Sequence, residues 1–294
     1  MTDKAPFDVA ALRGWIGRTD RATDIVTPRL AQGLLATLDQ DGPALVEGQP
    51  VPATAHWCLT QPTVPMSGLG PDGHPARGGF LPPVPLPRRM WAGGALEFRE
   101  PLRVGDAVER ESRIADVAVK EGRTGTLCFV AVEHRISTPR GLAILERQDI
   151  VYRDMDRPQG GSAPAAAPPP PSPDARQPRW RRVVQADPVL LFRYSALTFN
   201  GHRIHYDRSY CIEAEGYPGL IVHGPLQATL LVELAASARD GRAPRFFEFR
   251  GARPLFDGAP FSVNAIEADG GGGGLELWAA DEQGRTTMTA KAGW

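Results

Sequence analysis

Apolar residues recur along this chain with two periods, and the two halves of the sequence use them in the same order. Thr27 followed by Pro28 reads as a helix start, with a capping hydroxyl and a proline at the first helical position. Leu30, Leu34, Leu35 and Leu38 then continue at helical spacing. An irregular stretch, 43–89, separates this amphipathic helix from four runs of strand character at 94–99, 117–119, 126–135 and 143–153. The second half repeats the scheme. Segment 224–238 predicts the strongest helix of the chain, with Leu226, Leu230, Leu231, Leu234 and Ala235 on its apolar face. Strands are expected after it at 245–250, 261–268, 275–279 and 286–292.

A helix followed by several antiparallel strands is an α+β pattern, and a broad apolar helix face is buried when the sheet wraps around the helix. That arrangement is the hotdog fold, and two copies in one chain predict a double hotdog. Segment 158–178 holds 8 of the 29 prolines among alanine and serine, a composition that cannot build a core and reads as a linker. The expected division is 1–157, a degenerate first hotdog unit; 158–178, the linker; and 179–294, the unit with the chemistry. Exposed sheet edges make a homodimer or larger assembly the expected state.

Composition narrows the function. With 33 Lys+Arg against 34 Asp+Glu, the net charge of −1 gives no reason to expect nucleic acid or an acidic membrane as partner. No apolar run approaches the roughly 18 residues of a membrane span. The acidic beginning, with Asp3, Asp8, Asp20 and Asp24, resembles no presequence, so a cytoplasmic location is expected. Cys58, Cys128 and Cys211 are too scattered for a metal or redox motif and are expected to be inert thiols.

Histidine is the informative residue type, because His202, His205 and His223 fall within 22 residues. Around the first two, 193–207 mixes Arg193, Tyr194, Ser195, Asn200, His202, Arg203, His205 and Asp207 with apolar Leu197, Phe199 and Ile204. His202, His205 and Asp207 lack the one-face spacing of a helical zinc site and a nearby fourth ligand, so no metal is expected. A structural turn whose polar groups satisfy one another accounts for the segment equally well. A second motif, His223-Gly224-Pro225, stands where the long helix begins. Backbone N–H groups at a helix start lack internal partners and carry the positive end of the helix dipole, which suits a developing oxyanion. By itself the motif also reads simply as a good helix start.

Together these motifs resemble the MaoC-like, or hydratase 2, hotdog family, whose pattern is Asp-x-Asn-Pro-Leu-His-x-Asp followed by a His-Gly helix start. Here 200–207 reads Asn-Gly-His-Arg-Ile-His-Tyr-Asp, so Asn200 and His202 stand where the family has its catalytic Asp and Asn. The similarity is closer to the subgroup of type 2 hydroxyacyl-thioester dehydratases and mesaconyl-CoA and itaconyl-CoA hydratases. It extends over Tyr194 to Asp207, Gly79 to Pro83 and Pro87 to Gly94.

The resemblance implies a hydro-lyase that adds or removes water across the 2,3 double bond of an acyl-CoA thioester, with coenzyme A as part of the substrate and no other cofactor. His205 is the expected acid/base. Asn200 would orient water, His202 would supply base capacity and the Gly224 N–H would hold the oxyanion. Tyr194, Ser195, Arg203, His223 and Arg193 are the expected substrate-binding residues. Arg88 and Arg89 are further candidates for a substrate carboxylate, since arginine pairs with one through a two-pronged fork. A hotdog thioesterase and a non-catalytic acyl-thioester binder are the competing readings.

Overall fold

A computed structural model describes residues 8–122, 125–154, 174, 176–270 and 272–294. Its first half runs α1 (Val9–Arg13), β1 (Thr19–Ile25), α2 (Pro28–Thr37), β2 (Arg88–Phe98), β3 (Ala107–Gly122), β4 (Gly125–Thr138) and β5 (Gly141–Arg153). The second runs β6 (Trp180–Gln185), α3 (Pro188–Leu197), α4 (Arg208–Glu213), α5 (Gly224–Ser237), β7 (Phe246–Gly251), β8 (Pro260–Glu267), β9 (Leu275–Ala280) and β10 (Thr286–Gly293). All ten strands form one antiparallel sheet in the order β1-β3-β4-β5-β2-β7-β10-β9-β8-β6. Outward from the central β2–β7 pair, the order 2-5-4-3-1 is matched by 7-10-9-8-6. Each half is therefore the same five-stranded unit, as a double hotdog requires.

The seam between the units explains part of the 87–94 string. Gly93 pairs with Arg250 across it, and a Cβ on Gly93 would lie 2.6 Å from the Phe249 carbonyl oxygen. On Gly94 it would lie 2.5 Å from that of Arg147. Glycine at both positions lets β2 pack between two neighbouring strands.

Strands β6 to β10 all touch α5. Nine residues of this helix are buried, including polar Gln227 and Thr229, so burial extends well beyond the five-residue face expected from periodicity. Full burial of each leucine on it contributes about 1.5–3 kcal/mol. Gln227 is satisfied by the Thr287 hydroxyl at 2.8 Å.

The first half departs from the expected plan. Its helix, α2, forms with the predicted Thr27 cap and Pro28, but it packs on α3 and on the short turn Ala55–Cys58. It follows edge strand β1 as α3 follows β6, so it corresponds to α3 and not to the central helix. The wholly buried turn Ala55–Cys58 supplies filling instead, with Trp57 edge-on to Trp91 and Phe249. Pro43, Pro50, Pro52, Pro62 and Pro65 keep that region from forming a long helix.

The principal core cluster runs through both halves, from Val26 and Leu34 to Leu277 and Ala292. A second gathers Leu12, Val84, Leu86, Ile114 and Tyr152, with Phe80 and Leu81 packed against it, so the 79–83 string serves packing. Among the described residues no helix is long and apolar enough to cross a membrane. The expected linker 158–178 lies outside the described residues except for 174 and 176–178.

Candidate active site

The site grows out of the end of α3. Asp187 caps that helix by accepting from the Leu190 N–H at 2.8 Å, and at its other end Phe199 turns the chain with φ 47°. The Asn200 N–H then donates to the Ser195 carbonyl at 2.8 Å. The turn Arg203–His205 follows, and Asp207 fixes its far side. One oxygen of Asp207 caps α4 through the Tyr210 N–H at 3.0 Å, while the other holds the Arg203 guanidinium at 2.7 Å.

This loop lines up imidazoles. His205 stacks on His223 with ring centroids 3.6 Å apart and an 18° tilt, and His202 stands edge-on to His205 at 5.5 Å. His205 Nδ1 lies 2.7 Å from the Ile221 carbonyl. That contact places the ring proton on Nδ1 and leaves Nε2 as an acceptor. His223 Nε2 meets the Ser195 hydroxyl at 2.8 Å, and its Nδ1 is buried without a protein partner. Burial pushes His205 down to about 4. Burial and then the charges of neighbouring imidazoles push His202 and His223 down as well. These rings are neutral at pH 7, and each keeps an unprotonated nitrogen as a hydrogen-bond acceptor.

His223 occupies the cap position of α5 but makes no side-chain capping bond there, because its ring is turned to Ser195. The first N–H groups of α5, beginning at Gly224, therefore have no side-chain cap. Trp91 passes nearby; a Cβ on Gly224 would lie 3.7 Å from its carbonyl oxygen.

The other sequence candidates are placed as follows. Asn200 accepts the His202 N–H at 3.0 Å through its side-chain oxygen, which leaves its amide NH₂ as the donor it can offer a ligand. Tyr194 is buried against His223, with its hydroxyl 3.4 Å from that of Thr229, and burial raises its pKa. Ser195 faces His223 and is positioned to hold that ring. Arg193 is exposed and reaches the Ala36 carbonyl of α2, so it does not join the cluster. Arg203 is engaged by Asp207 and lies over the Tyr210 ring at 4.1 Å, and Arg88 pairs with Glu215 at 3.1 Å. His202, His205 and Asp207 do not converge as a ligand set, since Asp207 is turned to α4 and Arg203.

Two functional candidates escape the sequence reading, and both come from the first half. The loop 70–75 carries Asp72, whose oxygens accept the His74 backbone N–H at 3.0 Å and meet His74 Nδ1 at 3.1 Å. The His74 ring lies 4.0 Å from that of His202 and extends the row to four imidazoles. Burial alone would raise the Asp72 carboxyl, but the hydrogen bonds from His74 outweigh it and hold the group well below the usual range. Burial lowers His74, and Asp72 opposes that shift. Asp72, His74 and His202 offer ligand atoms all within 4.8 Å of one another and could hold a cation. The readable signal was Asp72-Gly73-His74, an acid and an imidazole flanking one glycine, but it sits in a stretch without periodicity.

Arg89 also belongs to this region. Its charge disfavours protonation of His74 and His202, and it stands opposite Tyr152 in the pairing of β2 with β5. His56 and His134, the buried histidines of the first half, lie elsewhere. There Glu146 meets His56 at 3.4 Å and accepts from the Trp57 indole at 2.8 Å. A groove of about 810 Å³ beside Thr23, Ala107 and Pro139 contains none of the four site histidines. Chemistry, not concavity, marks the site.

Residues 54–257 match the family model of the hydroxyacyl-thioester dehydratase type 2 proteins. A mesaconyl-C(4)-CoA hydratase of Chloroflexus aurantiacus is 46% identical over 94% of this chain and 95% of its own. Among solved structures, Mycobacterium tuberculosis HtdX superposes with a TM-score of 0.63 at 22% identity, covering 93% of this chain and 98% of its own. Another protein of that organism, described as a double hotdog, gives 0.57 at 14% identity over 94% and 95%. At those identities the two structures speak for the fold alone, and they agree with the paired five-stranded units.

Proposed function

The chain belongs to the hydroxyacyl-thioester dehydratase type 2 family, and on that premise we propose that it is a hydro-lyase adding or removing water across the 2,3 double bond of a mesaconyl-type CoA thioester. One observation carries the reading: a neutral His205 with its acceptor Nε2 fixed by the Ile221 carbonyl, beside the open N-terminus of α5. In hydration, His205 Nε2 accepts from the attacking water while oxygen bonds to C3. The π pair moves onto the thioester oxygen, where the Gly224 N–H and the helix dipole stabilise it. The proton that the attacking water gives up is delivered to C2, so water is added whole across the double bond and no group of the enzyme ends changed. The reaction as proposed uses no cofactor beyond the coenzyme A of the substrate.

A mesaconyl thioester carries a free carboxylate, and Arg89 is the arginine that supports its recognition. Arg88 and Arg203 are committed to carboxylates of the protein, and Arg193 points to α2. Itaconyl-CoA, with the same charge, is the second acyl group to test. We place the enzyme in the cytoplasm and as a homodimer or larger assembly, with association through the edge strands β1 and β6, to be read by light scattering.

The assay follows absorbance of the conjugated thioester together with free thiol. Loss of absorbance without thiol is expected with mesaconyl-C4-CoA. Thiol release would replace the reading by hydrolysis, and no change with mesaconyl-, itaconyl- or straight-chain enoyl-CoA would leave binding only.

A further inference from the structure

Asn200 cannot take a proton, so the carboxylate that the family motif supplies at this position must be replaced or dispensed with. Among the contacts of the four imidazoles, His205 rests on a neutral carbonyl and His223 on a hydroxyl. His74 alone has an anion on its ring. A proton taken from water creates an imidazolium, and in a buried cluster that cation is best held where a carboxylate already waits.

Resting on the hydro-lyase reading above, we infer that His74, backed by Asp72, is the group that carries the proton in the same site, with His205 orienting the water, and that it is supplied across the seam by the first half of the chain. His74 is the catalytic residue and Asp72 a positioning residue. The two O–H bonds of the attacking water are directed at two acceptors, His205 and His74. The O–H bond facing His74 breaks as oxygen bonds to C3, the C2=C3 pair moves to the thioester oxygen, and the proton settles on His74 Nε2. Collapse of the enolate takes that proton back to C2, so the enzyme ends as it began.

The attachment of loop 70–75 supports a precise role. The Arg203 N–H donates to the Asp72 carbonyl at 2.9 Å, and its guanidinium donates to the Pro71 carbonyl at 3.1 Å. Gly73, at φ +86°, sits so close to Gly201 that a Cβ there would fall 2.0 Å from the Gly201 carbonyl oxygen. A turn that merely closed the loop would need only the Asp72 oxygen that accepts the His74 backbone N–H. The second oxygen holds the ring, fixing the proton on Nδ1 and leaving Nε2 as the acceptor.

The groups facing His74 are Asp72, His202, His205 and Arg89, so its basicity in this cluster depends on one anion. Asp72→Asn and His74→Gln are measured in the full chain with the hydrated thioester identified in wild type. Each is expected to lower kcat by about 10²–10⁴, the usual contribution of an acid/base group, with KM within a few-fold and the melting temperature close to wild type. In Asp72→Asn the acid limb of kcat/KM moves to lower pH, because His74 without its anion is harder to protonate, and Asp72→Glu restores part of the rate. Activity within tenfold of wild type, or a loss of rate with an unmoved acid limb, overturns the pair while leaving the hydro-lyase reading intact. Loss of wild-type activity to a chelator and its return with zinc overturns it in favour of a metal held by Asp72, His74 and His202. A wild-type chain that hydrates none of the enoyl thioesters fails at the earlier reading instead.

Discussion

Lowering the pH should expose His205 as a stability switch, and its size follows from the site. The ring is fully enclosed, and burial holds it at about 4 against an ordinary 6.5. Between those values the unfolded chain binds the proton and the folded chain refuses it, so stability falls as pH falls, and the loss is complete only below the folded value. At about pH 7.5 both states are neutral and the term vanishes. At about pH 5 the ratio of proton-binding terms is roughly 30, or about 2 kcal/mol, toward a limit of about 3.4 kcal/mol in stronger acid. His205→Gln removes the titration while keeping an amide donor for the Ile221 carbonyl. Urea denaturation of both chains at the two pH values isolates the difference, since His74, His202 and His223 titrate in each. The variant is expected to lose about 2 kcal/mol less than wild type on acidification. Parallel losses would show that His205 titrates normally and is not the dry, neutral acceptor that the proposed chemistry needs.

Three further outcomes test the supporting structure. Ser195→Ala strips His223 Nε2 of its 2.8 Å partner inside the core and should cost about 1–3 kcal/mol in urea unfolding at neutral pH. Gly73→Ala puts a methyl into the Gly201 carbonyl and parts the two loops. It should lower kcat/KM by about 10²-fold while unfolding shifts by about 1 kcal/mol, measured on the same preparation. Arg89→Ala should raise KM for mesaconyl-C4-CoA by about tenfold or more and leave a straight-chain enoyl-CoA little changed, and an equal effect on both would remove Arg89 from carboxylate recognition.

What was legible in the sequence was whatever repeats at short range. The α5 helix and most strands of both halves announced themselves because burial on one face forces periodicity on neighbouring residues. The edge strand β1 did not: its sequence TDRATDI is exposed at nearly every position, since an edge strand needs backbone pairing with β3 and little else. β6 and α3 were also missed. Helix α2 was read with its cap and proline but assigned the wrong partner, because a local pattern reports a buried face and not what buries it. The same limit governs the site. His202, His205 and His223 could be found because one loop and one helix start carry them. Asp72 and His74 lie 128 residues or more before His202, and contacts distant in sequence, the pairing of β2 with β7 among them, bring their half of the chain alongside.

That separation bears on why the first half persists without the central helix of its counterpart. It contributes the sheet seam at Gly93 and Gly94, the packing of Trp91 beside α5, and the loop that sets His74 on His202. A unit freed from carrying its own imidazole row can fill the helix position with a proline-broken turn and devote the adjoining segment to the other unit's chemistry. The departure at Asn200 and the irregular stretch 43–89 then have one physical explanation. With a carboxylate arriving from across the seam, the motif position needs a group that holds the His202 backbone, which Asn200 does at 3.0 Å, and no longer one that ionises. Restoring the motif by Asn200→Asp should therefore not rescue Asp72→Asn, because an oxygen tied to the His202 N–H is not placed on the ring of His74.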